Sequence, residues 1–241
     1  MQTIINVQQL SKSYDDLSAI DNISLSVKQG TVYGLLGANG AGKSTTIECI
    51  LGTKNADSGS ISVLGYNPKK DRHRLFQNVG VQFQEGDYQP EIKVSELCEE
   101  TACLYKSPAD WKNLCKQFGI GEKIDNAVKS LSGGERQRLF IVLALIPNPK
   151  LVFLDELTTG LDTKARRDVW KILSELKSRG LTIFLTSHFM DEVEALCDEI
   201  CILKKGKAVF YGTLEQAKEV SDCVKFEDAY LTLSGEEDIT G

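Results

Sequence analysis

The chain has 241 residues, a length that suits one large domain or one domain carrying a smaller inserted subdomain. Its formal net charge is −6 and its basic clusters are short, so a nucleic-acid partner is not expected. Seven cysteines and two histidines show no metal-ligand spacing, which argues against zinc, and free thiols in this number fit a reducing cytosol. No apolar run approaches the roughly 20 residues that span a bilayer, and no signal peptide is recognisable, so a partner would have to hold the protein at any membrane.

Apolar periodicity predicts an alternation of strands and helices along most of the chain. Strands are expected at residues 3–7, 23–27, 31–36, 78–83, 151–154, 182–186, 200–203 and 207–211. Helices are expected at residues 43–52, 164–178, 189–197 and 226–233, and Lys204-Lys205-Gly206 is expected to be a turn. Residues 94–145 show a helical pattern with few strand signals, which indicates an inserted helical subdomain. The alternation predicts an α/β domain with a largely parallel sheet, which binds ligands at the carboxyl ends of its strands.

A glycine-rich loop follows the apolar strand at 31–36 and opens a helix. It matches the phosphate-binding pattern G-x-x-x-x-G-K-[ST], as Gly37-Ala38-Asn39-Gly40-Ala41-Gly42-Lys43-Ser44, followed by Thr45. Glycines let successive backbone N–H groups turn inward toward phosphate oxygens, and the helix N-terminus adds its positive dipole end. Lys43 is expected to reach the β- and γ-phosphates and Ser44 to bind Mg²⁺. The loop therefore predicts nucleotide binding.

Two acids end the buried strand at 151–154. Asp155 is placed to hold Mg²⁺, directly or through water, and Glu156 to orient an attacking water as general base. Acids are also common where a strand simply reaches solvent. Together with the phosphate-binding loop, the functional interpretation is favoured.

The segment Leu131-Ser132-Gly133-Gly134-Glu135-Arg136-Gln137-Arg138 identifies the family. Its residues alone describe a helix with a Ser132 N-cap and uncovered first N–H groups, which is an anion site. The segment resembles the signature motif of ABC ATPases, and the resemblance extends over about residues 3–233. It implies that Ser132 and Gly134 contact the γ-phosphate of ATP held by a second, head-to-tail subunit.

The same resemblance assigns further positions. Tyr14 resembles the aromatic that stacks on adenine, and Asp162 resembles the loop aspartate at the dimer interface. His188 resembles the switch histidine that contacts the γ-phosphate. Gln84 resembles the glutamine that touches Mg²⁺ and the attacking water, with the neighbouring Gln82 as the alternative. The expected catalytic set is therefore Glu156, His188, Gln84 and Lys43, and the expected metal ligands are Ser44, Gln84 and Asp155.

One position departs from the family pattern. The family usually has proline after the catalytic glutamate, whereas Leu157 stands there in this chain. Leucine lacks the fixed φ angle of proline and keeps its N–H, so a somewhat less rigid loop is expected. Every group that the chemistry needs is present, and activity is expected.

The resemblance implies a P-loop NTPase (RecA-like) α/β core with an N-terminal antiparallel β subdomain and an inserted α-helical subdomain. The expected division is residues 1–84 and 146–220 for the core, 85–145 for the helical subdomain with the signature, and 221–241 for a short C-terminal helix and tail. ATP and Mg²⁺ are the expected cofactors.

The expected function is that of the ATP-hydrolysing subunit of an ABC transporter, peripheral on the inner face of the cell membrane. Its partners would be a separately encoded transmembrane permease and a second ATPase subunit, either a second copy or a relative. The chain is similar to bacterial drug- or polymer-exporting subfamilies, although importer subunits share every catalytic motif. A soluble ABC ATPase without a transport role, or a module that closes on ATP without turnover, are the alternatives.

Overall fold

The computed structural model describes residues 2–15, 17–82, 89 and 91–235. Its strands are β1 (Thr3–Tyr14), β2 (Leu17–Lys28), β3 (Val32–Leu36), β4 (Ser58–Val63), β5 (Val79–Gln82), β6 (Leu151–Leu154), β7 (Thr182–Thr186), β8 (Glu199–Lys204) and β9 (Lys207–Gly212). Its α-helices are α1 (Lys43–Ile50), α2 (Arg72–Phe76), α3 (Val94–Cys103), α4 (Trp111–Gln117), α5 (Gly133–Leu145), α6 (Thr163–Ser178), α7 (Met190–Leu196), α8 (Leu214–Ser221) and α9 (Phe226–Ser234). Short 3₁₀ turns cover Gly121–Lys123 and Val128–Ser130.

The chain divides into two compact units, residues 1–75 with 184–241 and residues 76–183. These two units are compact bodies and do not correspond to the core, helical subdomain and tail expected from the sequence. That threefold division stays a prediction. Within the part of the chain that the structure describes, no helix combines the length and apolar character needed to cross a bilayer.

The first unit contains a three-stranded antiparallel sheet with strand order β2-β1-β4. The predicted strands at 3–7 and 23–27 are confirmed, and both extend further, because β1 and β2 pair over almost their whole length. Leu10, Ile20 and Ile23 are fully buried in it. Strand β4 was not predicted, because its first three residues are exposed serines and a glycine, and its pairing with β1 defines it.

The same unit contains the strand that leads into the phosphate-binding loop. Strand β3 is buried at all five positions and pairs in parallel with β8, which pairs antiparallel with β9. The turn between β8 and β9 is Lys205-Gly206, one residue shorter than predicted, because Lys204 still belongs to β8.

Helices α8 and α9 pack against this sheet. A buried apolar cluster joins residues of β3, α7, β8, β9, α8 and α9: Leu36, Val193, Ile200, Ile202, Phe210, Leu214, Ala217, Phe226 and Tyr230. Helix α9 confirms the helix predicted at 226–233. Helix α8 was not predicted, although the capping box of Thr213 and Gln216 marks its start.

The second unit pairs β5 with β6 in parallel, with Val81 opposite Phe153. The strand predicted at 78–83 is found as Val79–Gln82, and residue 83 lies outside the described residues. Helix α5 lies directly on β5, since a Cβ added to Gly80 would stand 1.8 Å from the carbonyl oxygen of Ala144. The helical character predicted for 94–145 is confirmed by α3, α4 and α5.

Candidate functional site

The phosphate-binding loop has a backbone that only glycine can form at two of its positions. Gly37 has φ 144° and Gly42 has φ 104°. A Cβ on Gly37 would stand 2.4 Å from the carbonyl oxygen of Leu203, and one on Gly42 would stand 2.5 Å from that of Ala19. The loop is therefore pressed against neighbouring backbone at both ends, which fixes its curl.

Helix α1 begins inside this loop. Its N-cap is Gly42, which makes no side-chain capping hydrogen bond, and the N-terminus of a helix is where an anion is favoured. Lys43 is 9% exposed, and its Nζ donates to the carbonyl oxygens of Gly37 (2.7 Å) and Ala38 (3.1 Å). Ser44 is exposed and Thr45 is half-buried in the first turn. The ammonium of Lys43, the hydroxyl of Ser44 and the N-terminus of α1 therefore all belong to the phosphate-binding loop.

The turn between β8 and β9 is hydrogen-bonded to the phosphate-binding loop. The N–H of Gly206 donates to the carbonyl oxygen of Ala41 at 3.0 Å, and the N–H of Asp21 donates to the carbonyl oxygen of Gly206 at 2.8 Å. These bonds connect the loop to β2 as well as to β8 and β9. Ala41 is buried, whereas Asn39 and Gly40 are exposed at the tip of the loop.

Tyr14, the proposed adenine platform, is 39% exposed at the end of β1. The Nζ atoms of Lys12 and Lys54 lie 5.3 Å and 5.4 Å from its ring centroid. Each lysine is paired with an acid, Lys12 with Asp57 at 2.7 Å and Lys54 with Glu48 at 2.8 Å. Hydrogen bonds to Glu48 and then to Tyr14 raise the pKa of Lys54. Sequence reasoning missed both lysines. Lys12 precedes Tyr14 by two positions on β1, whereas Lys54 lies between α1 and β4 and reaches the ring only in the folded chain.

His188 follows β7, as predicted, and its side chain is exposed. Its ring lies beside that of Phe189, with centroids 4.1 Å apart. The preceding Ser187 is buried, and its Oγ accepts a hydrogen bond from the N–H of Phe189 at 3.0 Å. The local turn therefore fixes the backbone on both sides of the histidine and leaves the imidazole open to solvent.

In the second unit, Ser132 is the N-cap of α5, as the sequence predicted. Its Oγ accepts from the N–H of Glu135 at 3.2 Å, and Glu135 Oε2 accepts from the N–H of Ser132 at 2.9 Å. Lys123 forms an ion pair with Glu135 at 3.3 Å. The hydrogen bonds from Ser132, followed by the contact with Lys123, lower the pKa of Glu135. The capping box and this ion pair therefore stabilise the N-terminus of α5, the helix that carries the signature.

The start of this helix adjoins the loop that carries Asp162. A Cβ on Gly134 would stand 3.3 Å from Leu161 Cδ2 and 3.6 Å from the carbonyl oxygen of Gly160, so the two segments are in close contact. Asp162 is exposed and is the N-cap of α6, where its Oδ1 accepts from the N–H of Ala165 at 2.8 Å. The structure thus brings Ser132, Gly134 and Asp162 together on neighbouring segments.

The two acids lie at the end of β6. The N–H of Asp155 donates to the carbonyl oxygen of Gln82 at 3.2 Å, and Gln82 Nε2 donates to the carbonyl oxygen of Asp155 at 3.1 Å. Gln82 is buried, and these two hydrogen bonds join the ends of β5 and β6. Gln84 itself lies outside the described residues. Glu156 has φ 51°, a left-handed conformation that is strained for a glutamate.

The expected Mg²⁺ ligands are the Ser44 hydroxyl, the Asp155 carboxylate and the amide oxygen of Gln84, which lies outside the described residues. Within the described ranges, no group of three or more His, Cys, Asp or Glu side chains is arranged to hold a metal ion. A site for Mg²⁺ does not need such a group, because this ion is commonly bound by one or two protein oxygens, substrate phosphates and water. Exposed Ser44 beside the phosphate-binding loop and Asp155 at the end of β6 have the right chemistry.

Comparisons with known proteins agree with this geometry. The family model described as "ABC transporter" matches residues 20–159. The Nod factor export ATP-binding protein I of Ralstonia nicotianae is 38% identical over 87% of this chain and 67% of its own length. That of Burkholderia pseudomallei is 40% identical over 86% of this chain and 70% of its own length.

Solved structures show the same fold. An ATP-binding subunit of an ABC transporter superposes with a TM-score of 0.88 at 26% identity, covering 96% of this chain and 99% of the other. The cbiO1 subunit of the cbiONQ transporter complex of Clostridium perfringens gives 0.77 at 30% identity, covering 91% of each chain. On this sequence and structural agreement, the chain belongs to the ABC transporter family, as an ATP-binding and ATP-hydrolysing subunit.

Proposed function

We propose that this subunit powers export through a separate transmembrane permease by ATP-driven closure of a dimer. The observation that carries the direction of transport is the similarity to Nod factor export ATP-binding proteins, at 38% and 40% identity over most of the chain. What the permease carries is set by that other chain.

The phosphate-binding loop accounts for ATP binding. The N–H groups of Gly40 and Gly42 and the start of α1 would attract the phosphates, with Asn39 at the loop tip. The N–H of Ala41 would exchange its 3.1 Å hydrogen bond to the carbonyl oxygen of Ala38 for a phosphate oxygen. Lys43 would exchange its bonds to two loop carbonyls for the β- and γ-phosphates, so its ammonium is held at the site before ATP arrives. Tyr14 would stack on adenine, with Lys12 and Lys54 holding the ring.

Hydrolysis transfers the γ-phosphoryl group to water, and the protein supplies positioning and charge neutralisation. Glu156 accepts a proton from the attacking water as general base, and Gln84 and His188 orient the water and the γ-phosphate. Ser44, Asp155 and Gln84 would hold Mg²⁺, which neutralises charge on the phosphates when bound. These roles rest on the family resemblance and on the chemistry of the side chains.

The signature would act on a second subunit's nucleotide. Ser132 keeps a hydroxyl proton to donate while its oxygen caps α5, and Gly134 allows close approach at an exposed helix start. Asp162 lies on the adjoining loop and would line the same dimer interface. Two copies, or this chain and a relative, would then enclose each ATP head to tail, so that turnover requires closure.

Closure would do work on the permease through the helical subdomain at 85–145. The core would then comprise residues 1–84 and 146–220, and the tail residues 221–241. The permease would hold the protein at the inner face of the membrane. A tagged subunit purified from detergent-solubilised native membranes should carry a stoichiometric multi-span membrane protein, identified by mass spectrometry. Recovery of soluble partners alone would favour a transport-independent ABC ATPase instead.

The assignment of the general base has its own test. Glu156→Gln should abolish steady-state ATP turnover while retaining ATP binding and ATP-dependent dimerisation, because the amide keeps the shape and loses the base. Gln117→Glu, an exposed change on α4, is a suitable control for activity and stability. Turnover at the wild-type rate in Glu156→Gln would show that another group activates water.

A further inference from the structure

The strained backbone conformation of Glu156 must be stabilised by contacts with neighbouring residues. Its φ of 51° lies in the left-handed region, where a residue with a Cβ is strained. Leu157 follows it in the position where the family usually has proline, so a ring does not fix the next φ angle. The Leu157 side chain is completely buried, which anchors one side of the loop. The peptide that joins the two residues still requires hydrogen-bonded partners.

Gln137 provides these hydrogen bonds. It lies on α5 and is half-buried, and its Nε2 donates to the carbonyl oxygen of Leu157 at 2.8 Å and to that of Glu156 at 3.4 Å. The N–H of Thr159 also donates to the carbonyl oxygen of Glu156, at 3.2 Å. A single side-chain amide therefore contacts both carbonyl groups that follow the strained residue.

Gln137 also belongs to the helix that Ser132 caps. Gln137 lies five positions after Ser132, which is about 7.5 Å along an α-helix at 1.5 Å per residue. The helix is continuous from Gly133 to Leu145 and begins with a complete capping box. A displacement of its N-terminus would therefore be passed on to the peptide beside Glu156 as a movement of one rigid element.

We propose that Gln137 is a positioning residue that holds the Glu156 backbone in its strained conformation and couples the catalytic carboxylate to the signature helix. This inference rests on the proposed role of Glu156 as general base. In a head-to-tail dimer, the signature of one subunit contacts one ATP while its Glu156 acts on the other. Gln137 would then connect the two ATP sites within one subunit.

The direct test is Gln137→Glu, which has nearly the same shape and places an acceptor where the donor stood, facing two carbonyl oxygens. We expect kcat for ATP hydrolysis to fall about tenfold to a hundredfold, the loss that a misplacement near 1 Å produces. ATP affinity should stay within about twofold, because Gln137 Nε2 donates to the carbonyl oxygens of Glu156 and Leu157, and neither residue is a proposed nucleotide ligand. Rates are normalised to the fraction of protein that binds ATP, so that misfolding does not count as lost catalysis.

Two further variants keep the test specific. Gln137→Met removes the donor without adding charge and should show the same loss of kcat. Gln117→Glu makes the same chemical change on the exposed face of α4 and should leave kcat unchanged. Wild-type kcat in both Gln137 variants would overturn the proposal.

A double-mutant cycle separates positioning from a merely structural role. In the Glu156→Gln background, adding Gln137→Glu should lower the single-turnover rate by less than about twofold, because the carboxylate that it positions is already absent. An equal loss in both backgrounds would show that Gln137 acts on the structure in general, and the proposal would fail. If Glu156→Gln alone retains wild-type turnover, the assignment of the base fails as well, and that result is visible without any Gln137 variant.

Discussion

Replacing Gly42 with alanine tests how tightly the phosphate-binding loop is held. Two costs arise from the structure: the φ of 104°, and a new Cβ only 2.5 Å from the carbonyl oxygen of Ala19. Left-handed backbone costs a residue with a Cβ about 1–2 kcal/mol, and forced overpacking adds about 1–3 kcal/mol. The sum predicts a loss of about 2–5 kcal/mol of stability.

Gly40 supplies the matched control within the same loop. Its φ is +79°, yet an added Cβ would meet nothing within 4 Å, so Gly40→Ala carries only the backbone cost of about 1–2 kcal/mol. The difference between the two variants, about 1–3 kcal/mol, isolates the close approach to Ala19. For a chain of this length it corresponds to a melting temperature about 2–12 °C lower for Gly42→Ala than for Gly40→Ala.

The assay is thermal unfolding of both variants in one buffer without nucleotide, together with ATP affinity by titration. Gly42→Ala should also bind ATP more weakly than Gly40→Ala, because relief of the clash moves the N-cap of α1 and the N–H groups of its first turn. Equal melting temperatures for the two variants would refute the idea that close backbone packing, as well as φ, selects glycine at position 42.

Three further predictions follow from the same structure. Tyr14→Ala should weaken ATP binding by about 1–3 kcal/mol, or about 5- to 150-fold, whereas Tyr14→Phe should retain affinity, because stacking needs the ring; equal affinities in a titration would contradict the adenine role. Leu157→Ala should destabilise by about 2–5 kcal/mol and Leu157→Met by less than about 1.5 kcal/mol, since the side chain is fully buried; chemical denaturation measures both. Contacts with Ser132 and Lys123 lower the pKa of Glu135 below 4.5. The charge of Glu135 therefore stabilises the fold above pH 4.5, and this contribution is lost as the pH falls through the lowered pKa. Glu135→Gln should flatten the pH dependence of the melting temperature below pH 4.5, and an unchanged profile would exclude the contribution.

Features set by short stretches of sequence were predictable. The strand at 151–154 agrees with β6 at both ends, and the one at 182–186 agrees with β7. Buried strands of this kind are continuous apolar runs, and periodicity identifies them directly. The Ser132 N-cap was equally predictable from the sequence, because the capping hydrogen bonds join residues only three positions apart. The family was identifiable for the same reason, since its motifs are contiguous.

The roles assigned to the site residues remain predictions, but the structure shows what surrounds them. Lys54 reaches the ring of Tyr14, forty positions away in the sequence, and Gln137 reaches the peptide after Glu156. Gly42, the N-cap of α1, is confined by Ala19 of β2. Local sequence determined the buried strands, the helix caps and the motifs of this protein. Strand β4 and these contacts depend instead on how distant elements pack, and only the tertiary structure decided them.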